Sequence, residues 1–274
     1  MAKVVELAGQ LAFIQTLHEV TTAYEEIDMM RIRDYEVKIL RHRAYIEGLL
    51  DVYHDIANAL PKKESTRETH QALVLITPNK GLAGPIVQQL FASFAEYRTD
   101  HPGSDVIIIG RTGKELFVER EHTQPTHYYE LSTESTDEQW RAFIEETAAY
   151  DHMMIFHGYF ENLFLQKTNM VDAVRLRKED LPTNTTLAKD ACIFEPDIRR
   201  LVLALQAQML EESLQSGAKE GFLAELGSRI SSLELANDRI TKEKQSLTAA
   251  YRAAVKAKKT NRSMSNLAGI LSNP

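Results

Sequence analysis

Hydrophobic positions near the C-terminus keep a sustained heptad rhythm. Leu226, Ile230, Leu233, Asn237, Ile240, Lys244, Leu247, Tyr251 and Ala254 recur at alternating spacings of four and three. A straight helix drifts off such a repeat, so a sustained seam implies left-handed supercoiling about a partner. Asn237 and Lys244 are polar members of the seam, the kind that fixes register at a cost in stability. The N-terminal stretch has its own rhythm, with Phe13, Leu17, Val20, Tyr24 and Ile27 as a seam. Val4, Leu7, Leu11 and Ile14 lead in on a neighbouring stripe. Two seams at opposite ends of one chain predict an antiparallel pair. Periodicity alone equally allows two amphipathic helices packed on an ordinary globular core.

Proline and glycine divide the chain into a long helix, a mixed middle and a second long helix. Seven of the eight prolines fall between Pro61 and Pro196, and proline ends helices. The expected domains are residues 1–60, 61–194 and 195–274. Within the middle, Ala72–Thr77 and Asp105–Gly110 read as buried strands. Pro85 suits the first position of the helix that follows. Lys114–Glu119 and Glu138–Tyr150 read as further helices, the latter with Trp140, Phe143, Ile144 and Thr147 on one face. His152–His157 and Leu163–Leu176 read as extended. Such alternation predicts an α/β fold with a mostly parallel sheet.

Candidate chemistry in the middle is thin. Gly110-Arg-Thr-Gly-Lys114 has two residues between its glycines and Glu115 after the lysine, whereas a phosphate loop needs four and a hydroxyl residue. Asn79–Gly84 follows a strand and precedes a helix, where nucleotide folds place phosphates, but lacks their glycine spacing and reads as a tight turn. The histidine pairs His122/His127 and His152/His157 lack metal-ligand spacing with a third ligand and read as surface or edge residues. Glu25-Glu26 and Glu145-Glu146 read as solvated faces. Asn184-Thr-Thr186 is a glycosylation sequon without a route to a glycosylating compartment.

Composition narrows the class. The 274 residues carry 32 Lys and Arg against 39 Asp and Glu, a net charge of −7 that argues against a free-standing nucleic-acid binder. The single cysteine, Cys192, fits a reducing compartment. The sequence shows neither a bilayer-length apolar run nor a secretory or transit signal, which points to a bacterial-type cytoplasm. Against the acidic whole, Arg239 to Arg262 contains eight basic residues and only Glu243 as an acid. That imbalance suits an acidic partner surface.

Together these pieces resemble the γ subunit of F-type ATP synthases, over nearly the whole chain. Ile76-Thr-Pro-Asn-Lys-Gly-Leu-Ala-Gly84 resembles that family's I-T-S-D-R-G-L-C-G, and Ile109-Gly-Arg-Thr-Gly-Lys114 its I-G-x-K-G turn. Phe194-Glu-Pro-Asp197 resembles its Y-E-P-D. Glu225 to Asp238, with Ser228-Arg229-Ile230 and Ala236-Asn237, resembles E-x-x-S-R-M…A-T-x-N. Tyr251 and Thr260 fit its Y-N…I-T tail, and Gln10 to Arg33 aligns without gaps to its first helix. The departures are a K-I-T-K-A-M stretch that here reads Glu19-Val20-Thr21-Thr22-Ala23-Tyr24, an Arg-Gln pair that reads Val255-Lys256, and a net acidic charge in a usually basic family.

The resemblance implies a long antiparallel coiled coil of the two terminal helices with a Rossmann-like α/β domain at its base. It implies a non-catalytic rotor that couples ion-driven c-ring rotation to ATP synthesis or hydrolysis in the ring of α and β subunits. The implied partners are those subunits, the ε subunit and the c-ring. It implies no nucleic acid, no membrane insertion, no cofactor and no metal, and a peripheral place on the cytoplasmic face of the inner membrane. The implied partner-interface residues are Tyr24, Arg239, Lys244, Arg252, Lys256, Lys258, Lys259 and Thr260. Two other classes remain open at this point: a coiled-coil scaffold, and a nucleotide-dependent enzyme using the central α/β domain.

Overall fold

The computed structural model describes residues 2–58, 70–81, 83–174 and 198–271. Cys192, the Asn184 sequon and the Phe194–Asp197 motif lie outside these. The elements run α1 (Ala2–Asn58), β1 (Gln71–Ile76), α2 (Ile86–Asp100), β2 (Asp105–Ile109), α3 (Arg111–Glu121), β3 (His127–Tyr129), α4 (Asp137–Glu146), β4 (His152–Asn162), β5 (Leu165–Val174) and α5 (Ile198–Leu271). They form two compact units, one of Met1–Met30 with Ile230–Pro274, the other of Arg31–Arg229.

In the larger unit one sheet has the order β3-β2-β1-β4-β5. β1 pairs in parallel with β2 and β4, and β2 with β3. The exception is β5, which returns antiparallel to β4 as a hairpin. The apolar runs of β1 and β2 are buried on both faces, as a covered parallel sheet requires. One face carries Val74, Ile76, Ile107, Ile109 and Ile155 against Trp140 and Phe143 of α4 and Leu210, Leu214 and Ala218 of α5. On the other, Phe94 of α2 meets Phe117 of α3 and Phe156 of β4 edge-on, at ring separations of 6.5 and 5.4 Å. Pro85 precedes the first turn of α2, and its carbonyl accepts from Gln89 N at 3.1 Å. Thr136 and Gln139 close a capping box at the start of α4. The predicted α/β middle is thus observed; the three-residue strand β3 was too short to read from pattern.

In the smaller unit the N-terminal part of α1 and the C-terminal part of α5 pair antiparallel. Asn237 donates to Glu25 Oε2 at 3.0 Å, and Thr21 bonds the same asparagine. On α5 the predicted seam is the sheltered one: Ile230 and Ile240 are buried, and Leu233, Asn237, Lys244, Leu247, Tyr251 and Ala254 are partly so. On α1 the expectation fails. Phe13, Leu17, Val20, Tyr24 and Ile27 face solvent, with Phe13 67% and Tyr24 52% exposed. The sheltered stripe is the neighbouring one, Val4, Leu7, Leu11 and Ile14, continued by His18, Thr21, Glu25 and Asp28. Glu25 is therefore part of a polar layer and not a solvated face. Its partner Asn237 satisfies a carboxylate that burial would otherwise penalise.

Candidate functional site

Two arrangements stand out, an unpartnered face in the smaller unit and a polar joint in the larger one. The face is the exposed apolar stripe of α1 from Phe13 to Ile27, which includes Tyr24. These heptad-spaced side chains form an apolar stripe open to solvent. The remaining interface candidates lie on the same unit's stretch of α5. Arg239, Arg252, Lys256, Lys258, Lys259 and Thr260 are exposed, and Lys244 is half-buried within the seam. So the structure puts an apolar stripe on one helix and a basic surface on the other.

In the larger unit the glycine motifs serve packing. Gly110 has φ +102°, and a Cβ there would lie 2.0 Å from Thr77 O. The amides that open α3 are already used. Arg111 N donates to Asn79 Oδ1 (3.1 Å), Thr112 N to Pro78 O (3.1 Å) and Gly113 N to Thr77 Oγ1 (2.9 Å). These are the donors a phosphate would need. Lys114 instead lies over the Tyr128 ring at 4.1 Å. The loop after β1 thus caps α3, and the two glycine-bearing turns hold each other.

The E-x-x-S-R segment meets the G-L-A-G turn. Ser228 Oγ accepts from Ile86 N at 3.3 Å at the start of α2, and Glu225 pairs with Arg229 one turn along α5. A helix N-terminus at the end of β1 is where doubly wound folds receive an anion. Here a serine of the chain's own helix occupies that position.

Sequence reasoning missed an ion pair between a half-buried arginine and a buried glutamate. Arg43 of α1 reaches Glu220 of α5 through both guanidinium edges, Nε to Oε1 at 2.5 Å and Nη2 to Oε2 at 2.8 Å. Glu220 holds the Arg43 pKa further up through that bond, against partial desolvation. Arg43 also lies over the Tyr159 ring at 4.5 Å. Near it His157, expected at a surface or edge, is buried, and burial lowers its pKa. Its ring bonds Gly158 O at 2.9 Å and Asn169 Nδ2 at 3.2 Å, an arrangement that suits the neutral imidazole. His42 stands 3.5 Å from Glu212, and desolvation first, then Lys219, lowers its pKa. No sequence periodicity brings together residues 177 positions apart.

Among the described residues no cluster of His, Cys, Asp or Glu could hold a metal ion. No described helix is long and apolar enough to cross a membrane.

The larger unit is a mostly parallel α/β sheet covered by helices, and the smaller unit is an antiparallel helix pair. The sequence model of the family described as ATP synthase matches residues 3–262, and the chain belongs to that family. The ATP synthase gamma chain of Flavobacterium johnsoniae is 22% identical over 275 residues, covering 95% of each chain. That of Bdellovibrio bacteriovorus is 24% identical, covering 92% of each. Among solved structures, the rotor of the Euglena gracilis mitochondrial ATP synthase superposes with a TM-score of 0.67. It is 14% identical and covers 93% of this chain and 98% of that one. The central stalk and c-ring structure from Tetrahymena thermophila gives 0.60 and covers 79% and 99%.

Proposed function

We propose that the chain is the central-stalk rotor subunit of an F-type ATP synthase, a non-catalytic γ-type subunit that couples c-ring rotation to ATP synthesis or hydrolysis by the α and β subunits. The observation that carries this is the family match across residues 3–262, together with the paired helices of the smaller unit. An asymmetric shaft presents a different face to each catalytic subunit and favours a different conformation in each. Rotation and ligand exchange are then linked by differential binding.

The two faces of the smaller unit suit this role differently. The stripe Phe13, Leu17, Val20, Tyr24 and Ile27 gives an apolar contact. Arg239, Lys244, Arg252, Lys256, Lys258, Lys259 and Thr260 give a charged one suited to acidic loops of the ring. The family's two lysines are absent from Glu19 to Tyr24, where Glu19 and Thr22 stand instead, so that stretch offers no basic contact. The ε subunit and the c-ring are the partners proposed for the α/β unit, at the cytoplasmic face of the inner membrane. The occupied amides at the start of α3 favour this reading over a nucleotide-dependent enzyme. Co-expression of the tagged chain with its genome's α and β subunits tests it. A stoichiometric ATP-hydrolysing complex is expected, and purification of the chain alone would contradict it.

A further inference from the structure

The β1–β4 ladder stops at Leu75↔Phe156, whereas β4 runs on to Asn162. Past that point the flank of β4 meets helices. Phe160 N donates to Glu220 Oε2 at 3.4 Å, and Phe160 O accepts from Arg43 Nη2 at 2.8 Å. The ion pair thus offers the strand one donor and one acceptor, as a neighbouring strand would. It does so with one side chain from each long helix.

Close packing reinforces the same junction. A Cβ on Gly158 would meet Ala224 Cβ at 3.0 Å and Gly221 Cα at 3.4 Å, and one on Gly217 would meet Ile76 Cδ1 at 3.0 Å. At Gly158 and Gly221 the backbones of β4 and α5 therefore approach closely, with no side chain of either glycine between them at this junction. Both helices continue unbroken beyond it, α1 back to Ala2 and α5 on to Leu271.

We propose that Arg43 and Glu220 are positioning residues for torque transfer, forming the joint that fixes the α/β body to both helices of the shaft. This rests on the rotor reading. Apolar surfaces in contact resist separation better than sliding, because the hydrophobic effect is non-directional. Torque loads a shaft in the sliding direction. A forked, charge-assisted pair bound to backbone on a third element resists that motion, since any shift breaks directional bonds. Glu220 has 4% of its side chain exposed and Arg43 30%, so solvent competes little for the carboxylate.

The test uses the whole complex in sealed vesicles, with chains carrying Arg43→Met, Arg43→Lys or Glu220→Gln. ATP hydrolysis by the detached catalytic sector and ATP-driven ion pumping are both measured. The expected result is a several-fold fall in ions pumped per ATP for Arg43→Met, with hydrolysis within about twofold of the parent. Arg43→Lys keeps the charge without the fork and should recover only part of the loss. Glu220→Gln keeps the shape and an acceptor for Phe160 N, so it perturbs folding less than Arg43→Met, and it too should lower the ratio. An unchanged ratio in Glu220→Gln and Arg43→Lys overturns the joint. So does a parallel loss of hydrolysis and pumping that tracks a lowered melting temperature, since that is a purely structural role. Failure of the parent chain to assemble with α and β subunits overturns the rotor reading itself, and is seen before any variant is made.

Discussion

Gly84 and Ser228 touch so closely that no side chain fits between them. Gly84 has φ +68°, and a Cβ there would lie 2.4 Å from Ser228 Oγ and 2.7 Å from Ser228 O. Gly84→Ala therefore meets a disfavoured backbone conformation and a backbone clash together, costing about 2–4 kcal/mol. Denaturant unfolding of the isolated chain measures this. Adding Ser228→Gly removes only the hydroxyl contact, so the double variant should recover only part of the loss.

Ile240 and Val20 separate the buried and open seams. Ile240 is 8% exposed and Val20 46%. Ile240→Asp should destabilise the chain by about 3 kcal/mol or more, as an unpartnered charge in a sheltered seam does. Val20→Asp should change stability by no more than about 0.5 kcal/mol. It should still impair assembly with the α and β subunits. Equal melting of both variants would show that the seam assignment is wrong.

Those two positions also show how far the sequence could be read. On α5 the apolar rhythm and the buried face coincide, because that stripe stays largely apolar from Leu226 onward. On α1 two stripes compete, and the buried one turns polar at His18, Thr21, Glu25 and Asp28 while its neighbour stays apolar through Ile27. A search for apolar repeats follows the neighbour, because it cannot see that Asn237 satisfies Glu25 across the helix pair. The α/β body was legible because β1 and β2 are continuous apolar runs bounded by turns. The glycine motifs were visible, but their purpose was not, since Thr77 and Ser228 approach them only in three dimensions. Arg43 and Glu220 left no local signal, as each looks like an ordinary charged helix residue.

His157 sets a pH dependence. Burial lowers its pKa in the folded state, so the unfolded chain takes up the proton first. Its contribution is complete above the ordinary histidine pKa and is lost as the pH falls below about 6.5. His42, also lowered by burial, acts with the same sign. Stability should therefore decline between pH 7 and 5, and His157→Gln, though less stable overall, should decline less steeply. Urea midpoints across that range check this.

Nucleotide affinity tests the occupied amides of α3. Isothermal titration of the isolated chain with ATP should show no sub-millimolar binding, and Lys114→Ala should change nothing. A sub-millimolar affinity abolished by that substitution would revive an enzymatic role for the α/β unit.

The basic surface of α5 predicts a salt-dependent contact. Exposed pairs contribute about 0–1 kcal/mol each, so no single lysine should be essential. Reversal of Lys256, Lys258 and Lys259 together to Glu should weaken assembly or torque transmission, with an effect that varies with ionic strength. The isolated chain should stay folded, because all three are exposed. Assembly and hydrolysis equal to the parent at low salt would show that the charge run is only a solvated face.

Rotation itself tests the central claim most directly. The complex would be immobilised through its β subunits, with a bead attached to the α/β unit of this chain through an introduced surface cysteine. During ATP hydrolysis the bead should turn in one direction, faster with more ATP until load limits it. Hydrolysis by an intact complex whose bead stays still, or jitters without net direction, would contradict the rotor account.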